Sequence, residues 1–100
     1  GGINLNQLMK EAKKMQADME KSQDELAERE FEATSGGEAV KVRVSGKKEI
    51  LELKIKPEVV DSDDVEMLED LITSCINNAL KQVDDAASQT LGKFNIPGLM

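Results

Sequence analysis

The stretch covering residues 31–55 limits the possible folds most, because it contains three short runs of alternating side chains separated by two glycine-containing turns. Alternation with a period of two indicates β-strands that have one buried and one solvated face. Gly36-Gly37 fits a two-residue hairpin loop, since glycine readily adopts the positive φ angles that such loops require. The second turn falls within residues 45–48. This stretch therefore predicts a three-stranded antiparallel meander.

A two-residue first loop also predicts a register for this meander. It places Ala33 opposite Val40, and Glu32 opposite Lys41. In the second hairpin, a Gly46-Lys47 loop would place Leu53 opposite Val40. A Ser45-Gly46 loop would instead shift the pairing by two residues. Such a shift leaves every side chain on its own face of the sheet.

The faces of the sheet follow from the alternation alone. The predicted core face is apolar and comprises Phe31, Ala33, Val40, Val42, Val44, Leu51, Leu53 and Ile55. The predicted solvent face carries mostly charged side chains, namely Glu30, Glu32, Lys41, Arg43, Ile50, Glu52 and Lys54. Opposite charges on neighbouring strands favour cross-strand ion pairs on this second face.

A long helix is predicted before the meander, from about Leu5 to Arg29. Asn4 is a suitable N-cap, and Gln7 lies where a capping-box partner would be. The apolar positions form a heptad-like seam of Leu5, Leu8, Ala12, Met15, Met19 and Leu26, which is broken only by Ser22. Such a helix would be roughly 38 Å long, which exceeds the length that one small core can cover. Part of the helix must therefore project as an arm or pack on a second chain.

Two sets of side chains on this helix each leave two interpretations open. The lysines on the side away from the seam form either an ordinary solvated face or a stripe that contacts phosphates; they are Lys10, Lys13, Lys14 and Lys21. The methionines either fill gaps in a core or form an adaptable groove for another protein; they are Met9, Met15 and Met19.

A second long helix is predicted after the meander, from Ser62 to about Leu91. Asp61 or Ser62 would cap it, which is a better explanation of the acidic run at 61–64 than a metal site, because the spaced ligands of a calcium loop are missing. Its apolar stripe is broad enough to cover the apolar face of the sheet. Cys75 lies in that stripe and is expected to be a buried, unreactive thiol.

Composition limits the function classes. The 100 residues fit a single domain, 1–100, with tails at 1–4 and 93–100. Phe31 and Phe94 are the only aromatic residues, and so the core is thin and oligomerisation is expected. A single cysteine suits a reducing cytosol, and no apolar run is long enough to span a membrane. Without histidine, a usable nucleophile or a metal-ligand set, neither an enzyme nor a cofactor or small-molecule substrate is predicted.

Charge is distributed unevenly along the chain. The net charge is −7, which by itself disfavours binding to a polyanion. Residues 39–57, however, contain six basic and two acidic side chains, and residues 1–21 contain four lysines and three acids. The hairpin region and the beginning of the first helix are therefore the least acidic parts of the chain.

Three stretches resemble a known family. They are LMKEAKKMQADME, then GGEAVKVRVSGKKEILELKIKPEVVDSDDVEMLEDLI, then NIPGLM. In this order they resemble the YbaB/EbfC family of small bacterial nucleoid-associated proteins, and the resemblance covers nearly the whole chain. It implies an α+β fold of order α-β-β-β-α that forms a tweezers-like homodimer. It further implies a cytoplasmic, nucleoid-associated protein without a cofactor, whose helical arms bind double-stranded DNA and affect DNA organisation and gene expression.

The resemblance also implies which residues contact DNA. The expected contacts are Lys10, Lys13, Lys14 and Lys21 on the first helix, together with Lys81 near the last helical segment. The chain departs from this expectation at Asp84 and Asp85, which place negative charge on a segment expected to face DNA. The alternative function is a protein-interaction or chaperone-like clamp that grips its partner with the methionine-lined helices.

Overall fold

The computed structural model describes residues 4–92 and has the predicted element order. The elements are α1 (Leu5–Glu28), β1 (Glu30–Ser35), β2 (Val40–Ser45), β3 (Ile50–Ile55), a short 3-10 helix (Pro57–Val59) and α2 (Val65–Gly92). The strands form one antiparallel sheet in the order β1-β2-β3, which confirms the meander flanked by two long helices. Residues 1–3 and the predicted tail at 93–100 lie outside the described residues.

The predicted register of the first hairpin is wrong by two residues. Ser35 pairs with Val40, and Ala33 therefore lies opposite Val42. The reason is that the loop has four residues rather than two, since Glu38 joins the two glycines before it in the positive-φ region with a φ of 71°. Because the shift is even, the faces of β1 and β2 are as predicted.

The second hairpin contains a bulge that the alternation did not indicate. The predicted pairing of Leu53 with Val40 is wrong, because Leu53 pairs with Val42. Val44 pairs with Ile50, so that Leu51 is an extra residue without a partner. A bulge interrupts the alternation of faces on its strand. The prediction that Ile50 lies on the charged face is therefore wrong, because Ile50 lies directly opposite the core residue Val44.

The core lies between α2 and the first two strands. Its fully buried side chains include Val40, Val42, Val44, Cys75, Ala79 and Val83. α2 packs mainly against β1 and β2, and its contacts with β3 are few. Leu51 and Leu53, which were predicted to be core residues, are consequently 43% and 41% exposed in the single chain.

The beginning of α2 differs slightly from the prediction. The helix starts at Val65, three residues later than expected, because Asp64 is the residue that caps it. The Asp64 carboxylate accepts a hydrogen bond from the backbone N–H of Met67, at 3.2 Å. Asp61 instead accepts from the backbone N–H of Asp63, at 2.9 Å, within the preceding turn. These hydrogen bonds give the acidic run a structural role.

The chain is elongated rather than compact. Its radius of gyration is 20.4 Å and its dimensions are 76 × 23 × 16 Å. A compact chain of this length would have a radius of gyration of about 13 Å. α1 contains no buried residue, which confirms that much of this helix projects from the core.

The two helices meet at one end of the sheet. α2 begins beside the β1–β2 hairpin, where Ser35 donates to the Leu71 carbonyl at 2.6 Å. It then runs along the strands to the opposite end, where Lys48 and Asp84 form an ion pair at 2.6 Å. Beyond that point the last turns of α2 pack against the second half of α1, and Leu26 lines the groove between them. Residues 5–21 of α1, called the arm below, extend from the N-terminus of the helix to the start of this groove.

Candidate nucleic-acid interface

The arm begins at a well-formed helix N-terminus. The Asn4 side chain accepts a hydrogen bond from the backbone N–H of Gln7 at 3.1 Å, which confirms the predicted N-cap. The Gln7 side chain does not complete a capping box. It donates instead to the Glu11 carboxylate, at 3.4 Å, one turn later. The cap satisfies one of the otherwise unpaired N–H groups at the exposed end of α1.

Three of the four predicted lysines on α1 lie above one another. Lys10, Lys14 and Lys21 are separated by four and seven residues, and side chains at these spacings share one face of a helix. Lys13 lies beside them, and all four residues are exposed. The face is opposite the apolar seam, and it extends over about 16 Å along the helix axis at 1.5 Å per residue.

The ammonium groups of this lysine face are electrostatically available. Within residues 4–92, the ion pairs involve none of the four lysines of α1. Two carboxylates of α1 accept hydrogen bonds from glutamine side chains instead: Glu11 from Gln7, and Glu20 from Gln16 at 3.5 Å. The lysine face can therefore bind an external anion without breaking an existing ion pair.

Lys81 has a different environment from the other predicted site residues. It lies on α2, and its ammonium group is 3.1 Å from the Asp85 carboxylate one turn later. Asp84 is paired as well, with Lys48 of the β2–β3 turn. The structure thus places Lys81 in a local ion pair beside the sheet rather than on the arm. The two aspartates that depart from the resemblance are both partly neutralised by lysines.

The charged face of the sheet carries several ion pairs. Lys41 lies 3.7 Å from Glu32, and Arg43 forms ion pairs with Glu30 and Glu52. The hydrogen bond that the Arg43 guanidinium donates to the Glu30 carboxylate, together with the negative charge of Glu30, raises the pKa of Arg43 above its ordinary value. Because the register is shifted by two residues, the pairs with β1 are diagonal rather than directly opposite, a distance that long side chains can span.

The apolar seam of the arm is exposed in the single chain. Leu5, Leu8 and Met15 are 65%, 51% and 40% exposed. Only near Met19 does α1 reach the groove that it shares with α2. The arm therefore presents two distinct surfaces, one cationic and one apolar, on opposite sides of the same helix.

Sequence reasoning missed one basic surface, at the end of the sheet farthest from the arm. The predicted register paired Lys41 with glutamate, whereas the structure pairs Lys41 directly with Lys54. The signal was present in the sequence as the excess of basic residues in 39–57, but the register decides which of them are neighbours.

None of the helices in residues 4–92 is long and apolar enough to cross a membrane.

Comparisons with known proteins agree with this architecture. The sequence model of the YbaB/EbfC DNA-binding family matches residues 1–99. A nucleoid-associated protein of Clostridium acetobutylicum is 56% identical over 103 residues, which cover 99% of this chain and 92% of that protein. A nucleoid-associated protein of Alkaliphilus metalliredigens is 52% identical over 103 residues, which cover 99% and 90%.

A solved structure supports the fold independently. The crystal structure of an uncharacterized protein from Helicobacter pylori matches with a TM-score of 0.79. The match covers 93% of this chain and 98% of that chain, at 19% sequence identity. At this identity the likeness shows the α-β-β-β-α fold alone.

Proposed function

Because the chain belongs to the YbaB/EbfC DNA-binding family, we propose that it binds double-stranded DNA. The lysine face of the arm would contact the phosphates of the DNA backbone. The observation that carries this proposal is the set of four exposed α1 lysines without an ion-pair partner among the described residues. A row of ammonium groups attracts phosphates because their binding releases condensed counterions from the duplex.

The chemistry of the arm favours positioning on the backbone over reading of bases. α1 contains no arginine and no aromatic residue. Arginine is the commonest side chain in specific contacts to guanine, and apolar wedges are typical of proteins that kink DNA. Arg29 follows α1, but its guanidinium lies over the Phe31 ring, 4.9 Å from the ring centre. Binding is therefore expected to depend little on DNA sequence.

A homodimer is the proposed working form. The uncovered side of the sheet exposes Leu51 and Leu53, and the first turns of α2 expose Val65 and Met67, at 52% and 38%. β3 is also an edge strand, whose outer backbone groups have no partner in the sheet. Exposed apolar surface of this kind is typical of an interface, and a second copy would supply the core that the single chain lacks. The dimer would place two arms side by side.

The proposed cellular role is DNA organisation in the bacterial cytoplasm, with an effect on gene expression. The nucleoid-associated relatives support this role at the level of their names. Binding that depends on few phosphate contacts suits a protein that coats many sites weakly. The net charge of −7 per chain would weaken binding further, so that an affinity in the micromolar range or weaker is expected.

A charge reversal on the arm tests this function. Lys10→Glu combined with Lys14→Glu should abolish the shift of a duplex DNA band, with little change in the midpoint of thermal unfolding, because both side chains are exposed. The matched control is Lys10→Arg with Lys14→Arg, which keeps the charge and should keep the shift. For the unmodified protein the slope of log K against log salt should be about −2 to −5, at about −0.9 for each phosphate neutralised.

The exposed seam of the arm favours one second candidate, a clamp for partner proteins. Leu5, Leu8 and Met15 present apolar surface opposite the lysines, and methionine adapts to varied partners. This alternative predicts no salt-dependent affinity for DNA, and it predicts loss of partner binding on substitution of Met15 or Met19. If micromolar protein fails to shift duplex DNA at low salt, the DNA-binding proposal is wrong and the clamp is favoured.

A further inference from the structure

A second cationic surface lies at the end of the sheet where β2 begins and β3 ends. It is an open cleft of about 450 Å³, called the distal cleft below. Its lining consists of Glu38, Ala39, Lys41, Lys54, Ile55, Lys56 and Pro57. Three of these side chains, those of Lys41, Lys54 and Lys56, end in ammonium groups, and one, that of Glu38, ends in a carboxylate. The cleft thus concentrates positive charge in a chain that is acidic overall.

The strand register brings the cleft lysines together. Lys41 and Lys54 are directly opposite on β2 and β3. Lys56 follows two residues after Lys54, and its backbone N–H continues the ladder by donating to the Ala39 carbonyl at 2.8 Å. Side chains two residues apart on an extended strand point to the same face. All three ammonium groups therefore belong to one corner of the charged face.

This arrangement is unfavourable unless something offsets it. Like charges directly opposite on neighbouring strands destabilise a sheet. The ion pairs of two of these lysines are long, with 3.7 Å between the Lys41 ammonium and Glu32 and 3.9 Å between the Lys54 ammonium and Glu52. Both pairs are solvent-exposed, and such pairs contribute little. Lys56 forms no ion pair with any other residue in the described range 4–92. A bound anion would relieve the repulsion.

The distal cleft and the arm are at opposite ends of the molecule. α1 joins the sheet at the end where Glu30 pairs with Ser45, and Gly46 contacts the last turn of α1 at this same end. The cleft is at the other end of six-residue strands, about 20 Å away. Lys14 lies a further 21 Å or so along α1 from Glu28, at about 1.5 Å per residue. Along the 76 Å long axis of the molecule, the cleft is therefore roughly 30 Å from Lys21 and about 40 Å from Lys14.

From these observations we infer that the distal cleft binds backbone phosphates of a second duplex segment, so that one protein bridges two DNA segments. This inference rests on the proposed function, because the first segment is held by the arm. The cleft lysines lie on the charged face of the sheet, whereas the exposed Leu53 assigned to the second copy lies on the other face. A second copy that packs on the apolar face would leave the three ammonium groups accessible, and such a dimer would carry two clefts.

The experiment measures affinity for one duplex and bridging of two duplexes separately. Fluorescence anisotropy of one labelled duplex gives the affinity and its salt slope, and capture of a fluorescent duplex on a bead-bound duplex reports bridging. The cleft variant carries Lys54→Gln and Lys56→Gln. Single substitutions Lys56→Gln and Lys47→Gln form a matched pair, since Lys47 is an exposed lysine at the opposite end of the sheet. The arm variant carries Lys10→Glu and Lys14→Glu.

The inference predicts that the cleft variant binds a single duplex within about threefold of the unmodified protein but loses at least tenfold in bridging. Lys56→Gln should reduce bridging, whereas Lys47→Gln should not. Glu38→Gln, which removes the only carboxylate in the lining, should increase bridging, a gain that damage to the fold would not produce.

Two results would overturn the inference: bridging by the cleft variant equal to that of Lys47→Gln, or no bridging by the unmodified protein. If the proposal for the arm is wrong instead, the arm variant will bind a single duplex with the same affinity as the unmodified protein. Bridging would then depend on the cleft substitutions alone.

Discussion

Truncation of Leu53 is expected to weaken dimerisation far more than it weakens the folded single chain. Leu53→Ala removes three carbons, which correspond to roughly 2.4 kcal/mol of transfer free energy on full burial, at about 0.8 kcal/mol each. The side chain is 41% exposed in the single chain, so that folding alone accounts for about 1.4 kcal/mol of this value. The remainder, about 1.0 kcal/mol per protomer, is gained only if a second copy covers β3.

Symmetry doubles the effect of the substitution on the dimer. In a twofold interface each copy contributes the same residue, and so the loss is about 2 kcal/mol per dimer. Since about 1.4 kcal/mol corresponds to a factor of ten, the dissociation constant of the dimer should rise by roughly 30-fold. Any cavity left in the interface would add to this value.

Sedimentation equilibrium over a range of concentrations measures the dissociation constant directly. Lys54→Ala is the neighbouring control, since its side chain is 70% exposed on the charged face and should leave the constant unchanged. Val42→Ala is the core control, because Val42 is fully buried within one chain. It should lower the free energy of unfolding by about 2 kcal/mol at every protein concentration.

Two outcomes would refute this reasoning. A dissociation constant for Leu53→Ala within about twofold of the unmodified value would show that the second copy does not cover β3. A compact monomer at micromolar concentration would refute the proposed homodimer itself.

Three further predictions follow from local contacts. Gly46→Ala should lower the free energy of unfolding by about 3 kcal/mol or more in denaturant titration, because a Cβ there would lie 1.8 Å from the Leu26 carbonyl oxygen. The control Gly92→Ala should have almost no effect, since no atom lies within 4 Å of a Cβ at that position. Burial raises the pKa of the Cys75 thiol. The contribution of the protonated thiol to stability should therefore be fully present below the unfolded pKa of about 8.5, and it should be lost as the pH rises through the folded pKa. Equal free energies of unfolding at pH 8 and pH 10.5 would contradict this. Asn4→Ala should speed amide hydrogen exchange in the first turn of α1 by several-fold, since the cap contributes about 1 kcal/mol, and unchanged exchange there would show that the cap is not formed in solution.

Much of the candidate DNA-binding surface could be located from the sequence, because helices and strands impose short periods on a sequence. The period of α1 places Lys10, Lys14 and Lys21 on the side opposite the seam, whatever the helix packs against. The length of that helix, compared with the size of a small core, similarly indicates a projecting arm. The same period pairs Lys81 with Asp85 four residues later, a contact that the expectation of a DNA contact at Lys81 did not take into account.

Local patterns in the sequence determined the element order, the two faces of β1 and β2, the cap at Asn4 and the buried position of Cys75, because each depends on near neighbours in the chain. Only the tertiary structure decided the register. A φ of 71° at Glu38 lengthens the first loop, and a bulge alters the second hairpin. Those two features place Lys41 opposite Lys54. The path of α2, mainly over β1 and β2, leaves Leu53 exposed, since coverage of a strand depends on where a distant helix packs rather than on the residues of the strand itself.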